Sequence, residues 1–289
     1  MKKTENKKWL TELTERTCRI ALEGGDFLRQ ERIRFRQDRV EEKGAHNYVS
    51  YVDKESERRI TEKLHELLPE AGFIVEEGSR QHGQEEYCWI VDPLDGTTNY
   101  IHDMAPYAIS IALCNRKEIL LGVVYEICRD ELFYAFKEGG AFLSTRYDRN
   151  TDKARDEMIQ SGPIHVADTP EPDKASVCIG LPYDHRSYSR IAENLMKHLY
   201  GQISGLRILG SAAAELCYVA AGRFDGFIES YIGPWDVAAG SIIVREAGGR
   251  ITDYRNTDIF YNSEEVAASN GKIHDFLLKV IDMCRDTEK

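Results

Sequence analysis

The segment from Trp89 to Asn99, which reads WIVDPLDGTTN, constrains the fold more than any other part of the chain. Its first three residues are apolar and partly β-branched, which predicts a buried strand, and Pro93 predicts that this strand ends at Asp92. The GTTN sequence that follows is typical of a helix start, with Asp95 as its N-cap. Two carboxylates and a helix N-terminus are therefore expected to face one point.

This arrangement of groups has a specific chemistry. Carboxylate oxygens are preferred ligands of hard cations such as Mg²⁺, and free N–H groups at a helix start attract phosphate. The plainer interpretation is a strand, an ordinary Asp cap and a turn. The full eleven-residue string is more specific than an isolated D-x-x-D-G, so it favours a metal site that also binds an anion.

Other acidic residues follow predicted strands or begin predicted helices. The strand predicted at 73–75 runs into Glu76 and Glu77. Asp236, within GPWDVAAG, falls in the first turn of a predicted helix, where the helix dipole favours an anion. Asp53 is a natural N-cap for the helix that follows it, and a capping role alone explains it equally well.

The order of predicted elements indicates an α/β chain of two halves. An amphipathic helix is expected over 4–33, and strands over 107–114, 119–128 and 131–136 are expected to form an antiparallel meander. The charged stretch 144–162 reads as a solvated loop or surface helix and predicts a boundary, giving halves 1–150 and 151–289. Beyond it strands and helices alternate, which predicts a sheet covered by helices.

Composition excludes several classes of function. The net charge of −11 arises from 38 basic and 49 acidic residues without a long basic run, so direct nucleic-acid binding is not expected. No apolar stretch approaches 18 residues, which argues against a membrane span. The seven cysteines are odd in number and never form C-x-x-C, which predicts reduced thiols and a cytoplasmic location.

Three separated motifs resemble the signatures of the inositol monophosphatase family. They are Glu76-Glu77, the DPLDGTTN string at 92–99 and the WDVAAG string at 235–240, and their order and spacing match as well. The resemblance implies a layered α-β-α-β-α fold, a homodimer, and lithium-sensitive, Mg²⁺-dependent hydrolysis of small phosphate monoesters. It implies two to three Mg²⁺ ions in each site.

The resemblance also implies roles for individual residues. The implied metal ligands are Glu76, Asp92, the carbonyl of Leu94, Asp95 and Asp236. Asp53 and Thr97 match the pair that orients and deprotonates the attacking water, Glu76 also serves the third metal, and the N–H groups of Gly96 and Thr97 match a phosphate site. The leaving group is expected to contact Gly210, Ser211, Ala212 and Glu229, although a surface carboxylate is an equally simple interpretation of Glu229. Lys43 matches a basic residue of a loop that reaches toward the third metal, Glu77 is a further possible site residue, and Asn47 departs from the family by replacing an aspartate.

The leading functional hypothesis is hydrolysis of inositol monophosphate or a similar polyol phosphate. The same type of metal site serves fructose 1,6-bisphosphate, NADP, histidinol phosphate and 3′-phosphoadenosine nucleotides in relatives, so these substrates are alternatives. A different class of hypothesis is a non-catalytic regulatory protein that binds partners in transcription or ribosome synthesis. The complete set of metal-ligand positions favours the enzyme.

Overall fold

Two β-sheets, a two-stranded ribbon and seven helices form the part of the chain that the structure describes. The structure is a computed structural model, and it describes residues 3–35, 40–44, 47–78, 85–148, 153–182, 185–258 and 264–286. The helices are α1 (Lys3–Arg34), α2 (Tyr51–Leu67), α3 (Thr97–Ile101), α4 (His185–Leu199), α5 (Ala212–Ala220), α6 (Pro234–Glu246) and α7 (His274–Asp286). The ribbon pairs β1 (Val40–Gly44) with β2 (Asn47–Ser50) in antiparallel fashion.

The larger sheet contains seven strands in sequence order. They are β3 (Gly72–Val75), β4 (Tyr87–Asp95), β5 (Ala108–Asn115), β6 (Ile119–Glu126), β7 (Glu131–Phe136), β8 (Gly140–Asp148) and β9 (Lys153–Pro163). The pair β3 and β4 is parallel, and every later pair is antiparallel. The predicted meander is therefore confirmed. The strands of its centre, β5 and β6, are buried along nearly their whole length.

The described residues of the charged stretch, 144–148 and 153–162, form strands, so the prediction of a loop or surface helix was wrong there. Strand β8 pairs with both β7 and β9, and β9 is the last strand of the larger sheet. A strand at the edge of a sheet tolerates a polar sequence because only one side of its backbone needs a partner. Since β9 lies beyond residue 150, the change from one sheet to the other comes after residue 163, and the division into halves at residue 150 stays a prediction.

The smaller sheet has five strands in the order β11, β10, β12, β14, β13. They are β10 (Ser176–Ile179), β11 (Gly205–Arg207), β12 (Gly226–Ser230), β13 (Arg250–Thr252) and β14 (Glu265–Ser269). Strand β10 is parallel to β11 and β12, whereas β14 runs antiparallel to its neighbours β12 and β13. Strand β14 was missed from the sequence because it is short and rich in alanine, which is a poor strand former.

The helices and sheets stack in five layers, which confirms the layered α-β-α-β-α architecture. Helices α1 and α2 cover one face of the larger sheet, and α5 and α6 lie between the two sheets. Helices α4 and α7 pack together on the outer face of the smaller sheet. Three buried apolar clusters fill the spaces between these layers. Helix α6 in the middle layer is the element that brings Asp236 to the larger sheet.

Helix α6 approaches strand β6 so closely that only glycine fits between them. A Cβ atom at Gly122 would lie 2.5 Å from the carbonyl oxygen of Ala239, and one at Gly240 would lie 2.6 Å from a methyl group of Leu216 on α5. The small residues of this helix therefore permit its close approach to the sheet and to α5. This packing fixes the first turn of α6 against the sheet edge where the acidic residues lie.

The first two helices differ slightly from their predicted bounds. Helix α1 covers the predicted range 4–33 and extends one residue at each end. Helix α2 begins at Tyr51, so Asp53 lies within its first turn, and the prediction of Asp53 as the N-cap was wrong. Across the described ranges, no helix combines the length and the apolar character that a membrane crossing needs.

Candidate active site

Strand β4 carries Asp92 and Asp95 past the point where the sequence predicted it to end. Its pairing with β5 shifts between Asp92, which lies opposite Ser110, and Asp95, which lies opposite Ala108. Three steps along β4 therefore match two steps along β5, which is a β-bulge, and Pro93 lies within it. A bulge bends a strand and redirects its side chains. The proline does not end the strand but brings the two carboxylates of β4 toward the same side.

Asp236 completes a cluster with these two carboxylates. Asp92, Asp95 and Asp236 each offer an oxygen, and these oxygens all lie within 4.8 Å of one another. Asp236 is held by a hydrogen bond of 2.7 Å from the backbone N–H of Gly233, which immediately precedes α6. Three hard oxygen donors at this separation can share divalent cations, and Mg²⁺ prefers such ligands. The donor set of this chain therefore fits the predicted metal centre.

Glu76 lies beside the cluster because β3 and β4 are parallel neighbours. Val75 is in register with Val91, so the next residue of each strand, Glu76 and Asp92, emerge at the same edge of the sheet. Glu76 lines the same cavity as the three aspartates. Glu77 is absent from that lining, and its backbone N–H donates to Oε2 of buried Glu57 over 2.7 Å.

Burial and mutual repulsion raise the pKa of the clustered carboxyl groups. Burial is the main cause for Asp92, whose pKa lies well above its ordinary value, and the charges of Glu76, Asp95 and Asp236 add to it. The pKa of Asp236 is also raised well above its ordinary value by burial, Asp95 and Glu76. The pKa of Asp95 rises by burial to about 6. Without a cation this site therefore retains protons, and a bound cation would replace them.

Asp95 binds the N-terminus of α5 rather than that of the helix that follows it in sequence. Its Oδ2 accepts hydrogen bonds from the hydroxyl of Ser211 at 2.6 Å and the backbone N–H of Ala213 at 2.8 Å. These donors keep the pKa of Asp95 lower than burial alone would set it. The N-cap position of α3 is Gly96, so the prediction of Asp95 as that cap was wrong.

Gly96 has a conformation and surroundings that require glycine. Its φ of 87° lies in the left-handed region. A Cβ atom there would lie 3.0 Å from the carbonyl oxygen of Pro106 and 3.1 Å from that of Gly210. Close packing of these three backbone segments therefore brings the start of α3 against the loop before α5, and both line the cavity.

Thr97 and Asp53 form the pair that the sequence predicted. The Thr97 hydroxyl lies 2.9 Å from Oδ1 of Asp53 and 3.0 Å from the carbonyl oxygen of Leu94. Asp53 is fully buried and Leu94 is equally inaccessible. A hydroxyl has one proton, so Thr97 donates it to one of these two acceptors at a time. Donation to Asp53 leaves the Leu94 carbonyl able to bind a cation and leaves the Thr97 oxygen as an acceptor for water.

The residues expected to contact the leaving group line the same cavity as the acidic cluster. The cavity measures about 720 Å³ and is lined by Gly210, Ser211, Ala212 and Glu229 together with the cluster. Burial, aided by the charges of Glu215, Asp236 and Asp95, raises the pKa of Glu229 well above its ordinary value. The interpretation of Glu229 as a surface carboxylate therefore does not describe its position at the wall of the cavity.

Gly180 makes room for Glu229. Strands β10 and β12 are parallel neighbours, and Gly180 follows β10 directly. A Cβ atom at Gly180 would overlap the carboxyl group of Glu229. No local sequence pattern indicates this role of Gly180, because the contact joins positions 49 residues apart.

Sequence reasoning missed two residues that hold the loop before α5. The Asn99 amide donates to the carbonyl oxygens of Pro106 at 2.7 Å and Leu209 at 2.8 Å. Oε1 of Glu215, which is fully buried, accepts from the backbone N–H of Leu209 at 3.1 Å, and burial raises the pKa of Glu215 to about 8. The position of Asn99 at the end of the DPLDGTTN string was the signal that could have identified it.

Two predicted positions fall partly outside the described residues. Lys43 lies on β1 and Asn47 on β2, and their side chains lie outside the part of the chain whose side chains the structure describes. The structure brings the remaining predicted residues, apart from Glu77, to the cavity or to its immediate wall. These are Asp53, Glu76, Asp92, Leu94, Asp95, Gly96, Thr97, Gly210, Ser211, Ala212, Glu229 and Asp236.

Comparison with known proteins gives a consistent match over nearly the whole chain. A sequence model described as the inositol monophosphatase family matches residues 9–285. A fructose-1,6-bisphosphatase/inositol-1-monophosphatase of Aquifex aeolicus is 34% identical over 260 residues, covering 90% of this chain and 91% of that protein. An inositol-1-monophosphatase of Mesorhizobium japonicum is 37% identical, covering 83% and 84%.

Two further matches extend this result. A protein named putative Nus factor SuhB, from Neisseria meningitidis serogroup B, is 35% identical and covers 84% of this chain and 87% of itself. The solved structure of an inositol monophosphatase from Anabaena has a TM-score of 0.80 and 33% identity, covering 95% of this chain and 96% of that one. The overall match thus includes sequence, fold and chain length.

Proposed function

We propose that this chain, which belongs to the inositol monophosphatase family, is a Mg²⁺-dependent phosphatase of a small polyol phosphate. Inositol monophosphate is the leading substrate. The observation that carries the proposal is the convergence of Asp92, Asp95 and Asp236, whose oxygens lie within 4.8 Å although they come from distant segments. The Thr97 and Asp53 pair next to this cluster supplies the second part of a hydrolytic site.

The acidic cluster would hold the cations. Asp92, Asp95 and Asp236 are the proposed ligands, together with Glu76 and the carbonyl oxygen of Leu94. Ser211 and Ala213 fix the Asp95 carboxylate, and the Leu94 backbone N–H donates to Oδ1 of Asp92 over 2.8 Å, so both carboxylates are oriented in advance. Bound Mg²⁺ would supply positive charge to the phosphoryl group and would lower the pKa of water.

Thr97 would orient the attacking water. When its hydroxyl donates to Asp53 Oδ1 at 2.9 Å, the Thr97 oxygen is available to accept a hydrogen bond from water. A water that donates a hydrogen bond to this oxygen has its own lone pair free to attack phosphorus, and Glu76 stands at the same cavity as a nearby acceptor for a proton. Buried Asp53 acts through Thr97 and fixes the direction of that hydroxyl.

The two ends of the substrate would be recognised by different parts of the cavity. Backbone N–H groups of Gly96 and Thr97 are the proposed phosphate contacts, since N–H groups at the start of a helix point outward and attract anions. Glu229, which lines the same cavity, is the proposed partner of a substrate hydroxyl. A polyol phosphate carries both groups, which is why this substrate class is preferred.

Phosphate release from a panel of esters tests the proposal. The panel contains inositol 1-phosphate, fructose 1,6-bisphosphate, NADP and 3′-AMP, each measured with Mg²⁺ and with EDTA. Turnover of inositol 1-phosphate that requires Mg²⁺ and that is lost in Asp236→Asn is the expected result. Asp282→Asn, at an exposed position of α7, is the matched control and should retain full activity. Equal turnover with and without Mg²⁺ would refute the mechanism, whereas preference for another ester would change only the substrate.

A second candidate function is a binding role in transcription. The observation that favours it is the relative named putative Nus factor SuhB, which matches over 84% of this chain. A binding role would not require the metal-ligand carboxylates, so Asp95→Asn should still capture RNA polymerase if this function is present. Failure of both wild-type protein and Asp95→Asn to capture the polymerase from purified components would exclude it.

A further inference from the structure

Tyr231 has a backbone conformation that is unusual for its side chain. Its φ is 62°, in the left-handed region. Among the described residues, the other non-glycine positions with positive φ are Asp103, Asp130, Glu138 and Asn256, all of them polar. Left-handed backbone is unfavourable for a bulky side chain, and a conformation of this kind persists where the surrounding structure or a function requires it. Glycine would meet the backbone requirement at Tyr231 without strain.

Tyr231, with its strained backbone, lies at the wall of the candidate active site. It directly follows β12, two residues after Glu229 and five before Asp236, and it lines the same cavity. The residue is 49% exposed, so the core does not need its ring. Burial of an aromatic side chain therefore does not account for the tyrosine.

The wall of the cavity that Tyr231 lines has apolar as well as acidic parts. Leu181 and Ile208, each 45% exposed, also line this cavity. The acidic cluster and Glu229 add carboxyl groups to the same wall. A ligand that fits both parts has a phosphate and a hydroxyl at one end and an apolar face at the other. The C–H face of a cyclic leaving group provides such a surface, and an aromatic ring packs well against it.

We propose that Tyr231 is a specificity-determining residue whose ring packs against the ring face of the substrate's leaving group, an inference that rests on the phosphatase function proposed above. The phosphoryl group then faces the carboxylate cluster, a hydroxyl meets Glu229, and the carbon ring lies against Tyr231. The contact selects cyclic leaving groups over open-chain ones. It concerns binding of the leaving group and leaves the phosphoryl-transfer step itself unchanged.

Tyr231→Gly is the direct test because it removes the ring and also relieves the backbone strain. Steady-state kinetics with Mg²⁺ are compared for inositol 1-phosphate, which is cyclic, and glycerol 2-phosphate, which is not. For inositol 1-phosphate the KM should rise about threefold to tenfold while kcat stays within about twofold, which is the size expected for loss of one aromatic contact. Both constants for glycerol 2-phosphate should stay unchanged. Tyr231→Phe, which keeps the ring, should behave like wild type toward both esters.

Two further measurements keep the outcome unambiguous. The melting temperature of Tyr231→Gly should equal or exceed that of wild type, which excludes misfolding as the cause of a higher KM. Calorimetric binding of inositol 1-phosphate in Ca²⁺ gives the same comparison without turnover, so it tests Tyr231 even if wild type hydrolyses neither ester and the proposed function fails. An unchanged affinity for inositol 1-phosphate in Tyr231→Gly, or an equal KM rise for both esters, would overturn the proposal.

Discussion

Replacing Asp95 with asparagine should stabilise the metal-free protein while it abolishes turnover. Asp95 is 8% exposed and shares its site with two other aspartates. Without a cation, an ionised Asp95 is a charge that burial removes from water. An asparagine side chain at this position would have nearly the same shape without that charge. The stability and the turnover of this variant therefore show separately how the ionised carboxylate of Asp95 affects folding and how it affects catalysis.

The expected size of the effect follows from the pKa of Asp95. A rise from 3.8 to about 6 means that keeping this group ionised in the folded state costs about 3 kcal/mol at pH 8. Asparagine also weakens the bonds that Oδ2 accepts from Ser211 and Ala213, which offsets about 1–2 kcal/mol. A net gain in the free energy of unfolding of about 1–2 kcal/mol is expected at pH 8.

The raised pKa of Asp95 also determines how the stability difference between wild type and Asp95→Asn changes with pH. Because the folded state holds the Asp95 proton more tightly, it binds more protons than the unfolded state between pH 3.8 and about 6. This contribution to wild-type stability is fully present below pH 3.8 and is lost as the pH rises through about 6. The advantage of Asp95→Asn should therefore be greatest above pH 6, and below pH 4 the lost hydrogen bonds should make the variant the less stable protein.

Urea unfolding in EDTA at pH 8 and pH 4, repeated at pH 8 with saturating Mg²⁺, measures these effects. Cation binding to the folded state stabilises wild type, by about 2.7 kcal/mol when Mg²⁺ is 100 times its Kd. Asp95→Asn lacks one ligand charge and should gain less, so Mg²⁺ should reverse the order of stability. Asp282→Asn, the exposed control, should match wild type throughout. If Asp95→Asn were destabilised equally at pH 8 and pH 4 in EDTA, and wild type ignored Mg²⁺, the electrostatic account of the site would be wrong.

Three other predictions concern the walls of the site. Thr97→Ala should lower kcat about 10²-fold with little change in the Mg²⁺ requirement, because it removes the oxygen that orients water. Thr97→Ser, which keeps that oxygen, should retain most activity. A loss of Mg²⁺ affinity in Thr97→Ala that parallels the loss of kcat would contradict this role. Gly180→Ala should raise the KM for inositol 1-phosphate, because the added Cβ displaces Glu229. When Gly180→Ala is added to Glu229→Gln, the KM should not rise further. Additive effects of the two substitutions on KM would argue against a shared cause. Asn99→Ala should lower the free energy of unfolding by about 1–3 kcal/mol in urea titrations, because the buried carbonyl oxygens of Pro106 and Leu209 lose their donor, and an unchanged midpoint would exclude this structural role.

Local sequence patterns predicted most strands and helices because they depend on neighbouring residues. The run from 131 to 136 is rich in aromatic residues, which favour strands, and its predicted bounds equal those of β7. The prediction for 144–162 was wrong for the opposite reason, since this charged sequence carries no strand signal. The strands that its described residues form depend on backbone pairing at the sheet edge. Strand β14 likewise forms because β12 and β13 hold it on both sides.

Side-chain roles that join distant segments were harder to predict. The sequence identified Asp95 as a site residue but assigned its hydrogen bonds to the adjacent helix, whereas its partners Ser211 and Ala213 lie 116 and 118 residues away. The local sequence around Asp53 indicated only a helix cap, and its pairing with Thr97, 44 residues further on, was predicted from the family resemblance alone. No local pattern indicates such pairs, because they depend on how two layers pack.

The sequence alone determined the composition of the site: the acidic residues, the glycine at the helix start and the motifs that place this chain in its family. Those features are chemical, and they are written in the residue types and their spacing. The tertiary structure alone decided that oxygens of Asp92, Asp95 and Asp236 lie within 4.8 Å, that Glu229 lies against Gly180, and that Tyr231 lines the cavity with a positive φ. Distances between remote residues and backbone angles result from packing of the whole chain, which no short segment encodes by itself.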